Sequence, residues 1–237
     1  MALWRWRDGR YERAAWTRTL HGLEAAVCCP GPSLADVAAA DLDVEGLFVL
    51  AVNTAFPRVR PDAWIGLDDP ACYDAGLWRR PFVKIAGSRY ADSPAGGRTV
   101  RECPNTLLAT GRPGRPWEML NRRHDAAELL WNGNTFFAAL HLAVGLGARR
   151  VHLLGCDFGG PADYHDGRRL TAAHRGRNRR LYATLLDELP MLRLVAASRG
   201  VEIVSATPRS PANEYLPYVP LSDAAGRLRT AAAAGPA

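Results

Sequence analysis

Six short apolar runs constrain this chain more than any other feature: Leu23–Cys29, Leu47–Val52, Ala63–Leu67, Phe82–Ala86, Val151–Leu154 and Val201–Ser205. They are rich in Val, Leu, Ile and Phe and alternate little between apolar and polar. Strands covered on both faces of a parallel sheet read this way. Helical stretches lie between several of them. Ser33–Ala40 reads as a short helix opened by Pro-Ser, and Thr135–Gly145 is apolar nearly all round. Asn178–Arg199 carries Leu181, Leu185, Leu189, Leu192 and Val195 at helical spacing, with a bend expected at Pro190. Strands alternating with helices predict an α/β fold: a Rossmann-like, mostly parallel sheet with helices on both faces.

The chain's 237 residues, 48% of them hydrophobic, suffice for one such domain. It is placed at residues 23–228, after an Arg/Trp-rich lead-in over 1–22 and before a tail, 229–237, expected to be disordered. Gly87–Pro116, crowded with Gly, Pro, Ser and Arg, reads as loop or a small insertion. Gly159–Arg177 reads as a long polar loop between a strand and a helix, the usual setting of a lid. No apolar run approaches the ~20 residues of a spanning helix. No long apolar core follows Trp4 and Trp6, as a signal peptide requires. The chain therefore reads as soluble and cytoplasmic.

Net charge is +6, from 30 basic and 24 acidic residues, and Lys84 is the only lysine. A phosphate loop of the form GxxxxGK[ST] is thereby excluded, since Lys84 sits in FVKIAG. Arginine suits phosphate oxygens, but so lopsided a usage follows equally from gene composition, and nucleic acid is not an expected partner. The five cysteines, Cys28, Cys29, Cys72, Cys103 and Cys156, show no CxxC and no matching His spacing. Neither a disulfide framework nor a zinc site fits.

Open parallel sheets bind ligands outside the carboxyl ends of their strands. After the first run comes Pro30-Gly31-Pro32-Ser33-Leu34, a turn into a helix start that can face an anion. Asn53-Thr54-Ala55 follows the second, Asp68-Asp69-Pro70 the third, and Gly155-Cys156-Asp157-Phe158 the fifth. Asn53 can both donate to and accept from a base or ribose. Gathered carboxylates repel unless a cation, ribose hydroxyls or base N–H groups take up their charge.

These residues resemble a family. GPSL, AVNTAF, PDAWIGLDDP, NGNTFFAALHLAVGLGARRVHLLGCDF and VSATPRSPANEYLPYVPL are similar, in this order, to the archaeal 6-hydroxymethyl-dihydropterin diphosphokinase-like family and to the related bacterial sialyltransferases that use CMP-sialic acid. The resemblance spans about residues 24–220. It implies a nucleotide-binding transferase in which Gly31, Pro32 and Ser33 approach the phosphates or sugar. It also implies that Asn53, Asp68, Asn134, Thr135 and Gly155 line the nucleotide, with Asp157 on the ribose. In the sialyltransferases a histidine before the long helix is the general base, a place held here by His174. Tyrosines of the preceding loop bind the leaving phosphate, and Tyr164 matches one of them. The second, directly after Asp-Phe, is replaced by Gly159.

The residues themselves also favour His174. It lies beside Arg175, Arg177, Arg179 and Arg180. Imidazole titrates near neutrality, and arginines can stabilise a departing phosphate. His165, between Asp163 and Asp166, competes for the role or for a metal, while His141 and His152 sit in apolar runs. The leading reading is a transferase, a glycosyltransferase of CMP-sugar type, taking a nucleotide-activated donor and a hydroxyl acceptor. It needs no tightly bound cofactor. One alternative is an ATP diphosphokinase with Mg²⁺ held by Asp68 and Asp69. Another is a non-catalytic module whose WRWRDGRYERAAWTR segment stacks bases or packs on a partner subunit, which leaves a homo-oligomer open.

Overall fold

The structure is a computed structural model that describes residues 3–14, 20–115, 118, 129–131, 133–159 and 164–234. The strands of its main sheet are β1 (Leu3–Arg7), β2 (Arg10–Arg13), β3 (Glu24–Cys28), β4 (Leu47–Val52), β5 (Ala63–Gly66), β6 (Val83–Gly87), β7 (Thr106–Ala109), β8 (Arg150–Leu154) and β9 (Glu202–Ser205). They form one sheet in the order β9-β8-β3-β4-β5-β6-β7-β1-β2. β9 through β7 pair in parallel, while β1 and β2 add an antiparallel hairpin at one edge.

The helices are α1 (Ala39–Leu42), α2 (Thr135–Gly145), α3 (Ala172–Ala197) and α4 (Leu221–Ala234). Both faces of the sheet are covered, and β3 shows why its sequence cannot alternate. Ala25 and Val27 enter an apolar cluster with α2 and the inner face of α3. Ala26 and Cys28 enter a second one with Leu34, Trp64, Trp78, Leu221 and Leu228. Each strand position is buried on one side or the other.

Several sequence expectations are corrected by this fold. Ser33–Ala40 is a 3₁₀ turn, Pro32–Asp36, followed by the single-turn α1. Gly87–Pro116 contains β7, whose four residues TLLA are all buried but too few to show a period. Residues 3–13 of the lead-in are the edge hairpin, in which the Arg101 guanidinium lies 4.3 Å over the Trp6 ring. Residues 229–234, assigned to a disordered tail, complete α4. Alanine is the strongest helix former, α4 buries Leu221, Ala224, Ala225 and Leu228, and Arg229 reaches Ala40 O at 2.6 Å. No helix among the described residues is long and apolar enough to cross a membrane.

Candidate functional site

The strand order reverses between β3 and β8. From β3 the chain proceeds outward to β4, whereas β8 leads the other way to β9. Ligands of such sheets lie in the crevice that this reversal opens at the carboxyl ends. Two turns meet there. Cys29 N–H donates to Leu154 O at 2.8 Å, and Gly31 N–H to Gly155 O at 3.0 Å. The Ser33 N–H and hydroxyl both donate to Asp157 Oδ2, at 3.3 and 2.9 Å. A Cβ on Gly31 would stand 2.2 Å from that same oxygen and 2.4 Å from Gly155 O, so only glycine permits the approach. The segment after β9 braces the turn from behind. Thr207 Oγ1 accepts from Cys156 N–H at 3.1 Å, and Ser210 Oγ donates to Cys156 O at 2.7 Å.

The Ser33 donors, read from the sequence as facing a phosphate, are therefore engaged by Asp157. Burial pushes the Asp157 carboxyl above the usual range, against the Ser33 hydrogen bonds that favour its ionised form. A raised folded-state value contributes stability fully below the ordinary aspartate range. That contribution is lost as pH rises through the raised value. Asp157→Asn, whose amide oxygen still accepts from Ser33, is expected to flatten this decline in urea unfolding followed against pH. A slope like the wild type's would show that Asp157 is not its source.

At the next two strand ends Asn53 and Asp68 are joined through Tyr73. Its hydroxyl donates to Asn53 Oδ1 at 3.1 Å and accepts from Asp68 N–H at 3.3 Å. Trp64 Nε1–H donates to Asn53 O at 2.6 Å. Asn53 and Phe158 hold left-handed backbone, φ 50° and 47°. That is tolerable for asparagine and strained for phenylalanine, and such strain gathers at functional sites. Phe158 is wedged edge-on between Phe136 and Tyr182, 5.9 Å from each ring centroid. Thr54 Oγ1 is buried without a hydrogen-bond partner among the described residues.

Asn134 caps α2, its Oδ1 accepting from Phe136 N–H at 2.8 Å, and Thr135 is buried behind it. Asp69 is likewise a cap, accepting from Ala71 N–H, and Asp68 is exposed. No three His, Cys, Asp or Glu side chains among the described residues are placed to hold a metal ion. Asp166 pairs with Arg168 at 2.6 Å, while Asp163 lies outside the described residues.

The polar loop crosses the site. His165 N–H donates to Pro30 O at 3.0 Å, and its Nε2 reaches Thr54 O at the same distance. A carbonyl only accepts, so Nε2 carries a proton there and serves as a tether. Tyr164 is half-buried, with the Arg168 guanidinium 5.4 Å over its ring. The loop ends earlier than the sequence suggests. Thr171 caps α3, accepting from His174 N–H at 3.3 Å, so His174 stands in the first helical turn. Its Nδ1 is 3.0 Å from Thr171 Oγ1. At about 100° per residue, His174 falls on the same face as Leu185, Leu189, Leu192 and Ala196, the buried side of α3. Burial fades along this face from Leu185 through half-buried Tyr182 and Asn178 to exposed His174. Arg179 and Arg180 fall on the opposite side. No hydrogen bond joins His174 to Asp157 or Ser33.

Tyr73, Tyr182, Thr207 and Ser210 belong to the site although no local sequence signal singles them out. Tyr182 shares its environment with Tyr164, Cys29, Cys156 and Asp157, and burial pushes its hydroxyl up to about 12. Further along the same edge Ser88, Arg89 and Trp131 line a small cavity of about 80 Å³ beyond β5, β6 and β7.

No family model and no curated protein matches this chain. Solved structures similar to it include the sialyltransferase CstII from Campylobacter jejuni in complex with CMP-3FNeuAc. It is 11% identical with a TM-score of 0.49, over 84% of this chain and 86% of that one. The monofunctional alpha-2,3-sialyltransferase Cst-I from the same organism is 12% identical with a TM-score of 0.48, over 84% of this chain and 82% of that one. The likeness to the diphosphokinase-like family finds no support in these comparisons.

Proposed function

We propose that this chain is a glycosyltransferase that binds a nucleotide-activated sugar, of CMP-sugar type, across the β3/β8 crevice and transfers the sugar to an acceptor hydroxyl. The observation that carries the reading is the interlock of Gly31–Ser33 with Gly155–Asp157 at the point where strand order reverses, beneath a loop tethered by His165. His174 takes the proton of the acceptor hydroxyl as that oxygen attacks the anomeric carbon. The bond from that carbon to the nucleotide phosphate breaks, and the phosphate leaves with the electron pair. Tyr164 and Arg168 supply a hydroxyl donor and a positive charge for it. In the base-competent tautomer Nδ1–H donates to Thr171 Oγ1 and Nε2 carries the free lone pair. Nothing in the arrangement of Asp68, Asp69 and Asp157 favours diphosphoryl transfer.

Thermal unfolding with CMP, CDP, UDP, GDP, ADP and ATP, each with and without Mg²⁺, tests the reading. CMP alone is expected to stabilise the protein, by about 2.7 kcal/mol at a hundredfold excess over Kd. Stabilisation by ATP only when Mg²⁺ is present would replace this reading with diphosphoryl transfer. No shift with any nucleotide would remove both.

A further inference from the structure

The protein's charge is unevenly placed. Between Gly167 and Leu186 stand six arginines, Arg168, Arg169, Arg175, Arg177, Arg179 and Arg180, and no aspartate or glutamate. The remaining 24 basic residues are matched by the chain's 24 acidic ones, so this one segment carries the whole net charge of +6. Gene composition accounts for arginine in place of lysine, but it does not empty one segment of acids.

All six arginines belong to the end of the loop or the first turns of α3, and all are exposed. Arg168 is paired with Asp166, whereas Arg169, Arg177, Arg179 and Arg180 have no carboxylate partner among the described residues. The segment continues directly from the His165 tether over Pro30 and Thr54 and surrounds His174. Uncompensated charge at the mouth of a site raises the local concentration of a substrate of opposite sign.

We propose that this segment docks an anionic glycan, a chain bearing carboxylate or phosphate groups, and holds it as the acceptor whose hydroxyl faces His174. The inference rests on the glycosyl-transfer reading and adds the chemical class of the acceptor to it. A soluble polyanion suits the surface better than a bilayer. The arginines radiate around the helix, and the exposed Met191 and Leu194 lie more than two turns beyond Arg180. Interfacial helices need an apolar face opposite the basic one. Single-stranded nucleic acid is disfavoured too, because it needs exposed aromatic platforms and the segment's one tyrosine, Tyr182, is half-buried against Phe158.

The test uses the full chain and fluorescein-labelled carboxymethyl-dextran, with unmodified dextran of equal length as the neutral control. The charged polymer is expected to bind and the neutral one not. Arg179→Ser/Arg180→Ser, on the outer side of α3, is expected to weaken binding by about three- to tenfold. It should also lower the slope of log K against log salt by about two. CMP should stabilise wild type and variant alike and should not displace the dextran. Equal binding of neutral dextran, undiminished binding by the variant, or displacement by CMP would each overturn the proposal. So would tighter binding to phosphatidylglycerol vesicles or to oligo-dT than to the dextran. Dextran binding as expected with no CMP stabilisation of the wild type would overturn the transfer reading alone.

Discussion

His174→Ala is expected to lower sugar transfer by ~10²–10⁴-fold, the range for loss of a general base, while CMP stabilises the variant as well as the wild type. The asymmetry follows from position. The crevice proposed for the donor lies at the turns after β3 and β8, whose hydrogen bonds run among Gly31, Ser33, Gly155 and Asp157. His174 belongs to none of these contacts. It stands in the first turn of α3, on the buried side of the helix but beyond the last residue that side buries. A side chain so placed can face an acceptor entering over the strand ends without touching the nucleotide. Thr171→Ala provides the graded comparison. It removes the partner of His174 Nδ1 and the helix cap, so turnover should fall less than in His174→Ala and stability by about 1 kcal/mol. Wild-type turnover in His174→Ala, or loss of CMP binding in it, would remove the histidine from this role. His165 would not simply take its place, because its Nε2 is held by Thr54 O.

The parts of the fold legible in the sequence are those where burial is continuous. β3, β4, β5, β6, β8 and β9 each match an apolar run to within one residue at any end that overruns it, because both faces of each strand are covered. β7 escapes notice since four buried residues lie between Asn105 and Gly111 in a Gly/Pro-rich stretch. The hairpin of β1 and β2 escapes because Arg5, Arg7, Arg10 and Arg13 lie at the sheet edge, where charge is tolerated and apolar runs are not needed. The first turns of α3 carry no apolar period, since they project past the core. Their only local sign is Thr171, three residues before His174.

Of the site, Gly31, Ser33, Gly155 and Asp157 are legible because a parallel sheet gathers the turns that leave its strands along one edge. Their partnership is not legible. Ser33 and Asp157 are 124 residues apart and meet only because β3 and β8 are neighbours. Tyr73, Tyr182, Thr207 and Ser210 are hidden for the same reason, each reaching the site from an element whose own sequence points elsewhere.

Gly155→Ala is expected to be the most damaging single methyl addition at the site. Gly155 has φ 62°, and a Cβ there would stand 2.0 Å from Cys29 O and 3.1 Å from Leu34 Cβ. The first obstacle is backbone, which no rotamer change relieves. Left-handed strain costs about 1–3 kcal/mol and overpacking of a tight interior typically a further 1–3. A loss of ~2–6 kcal/mol lowers Tm by about 4–24 °C for a chain of this size. CMP affinity should fall with it, because moving Gly155 displaces the carbonyl that holds Gly31 and the aspartate two residues on that holds Ser33. Gly176→Ala is the control. That glycine lies in α3 with nothing within 4 Å of an added Cβ, so its replacement should raise helix stability by up to about 1 kcal/mol. Thermal unfolding of the two variants, with and without CMP, separates a methyl group that collides from one that does not. A Gly155→Ala protein with wild-type Tm and wild-type CMP stabilisation would mean that the two turns do not interlock, and the crevice would have to be sought elsewhere along the sheet edge.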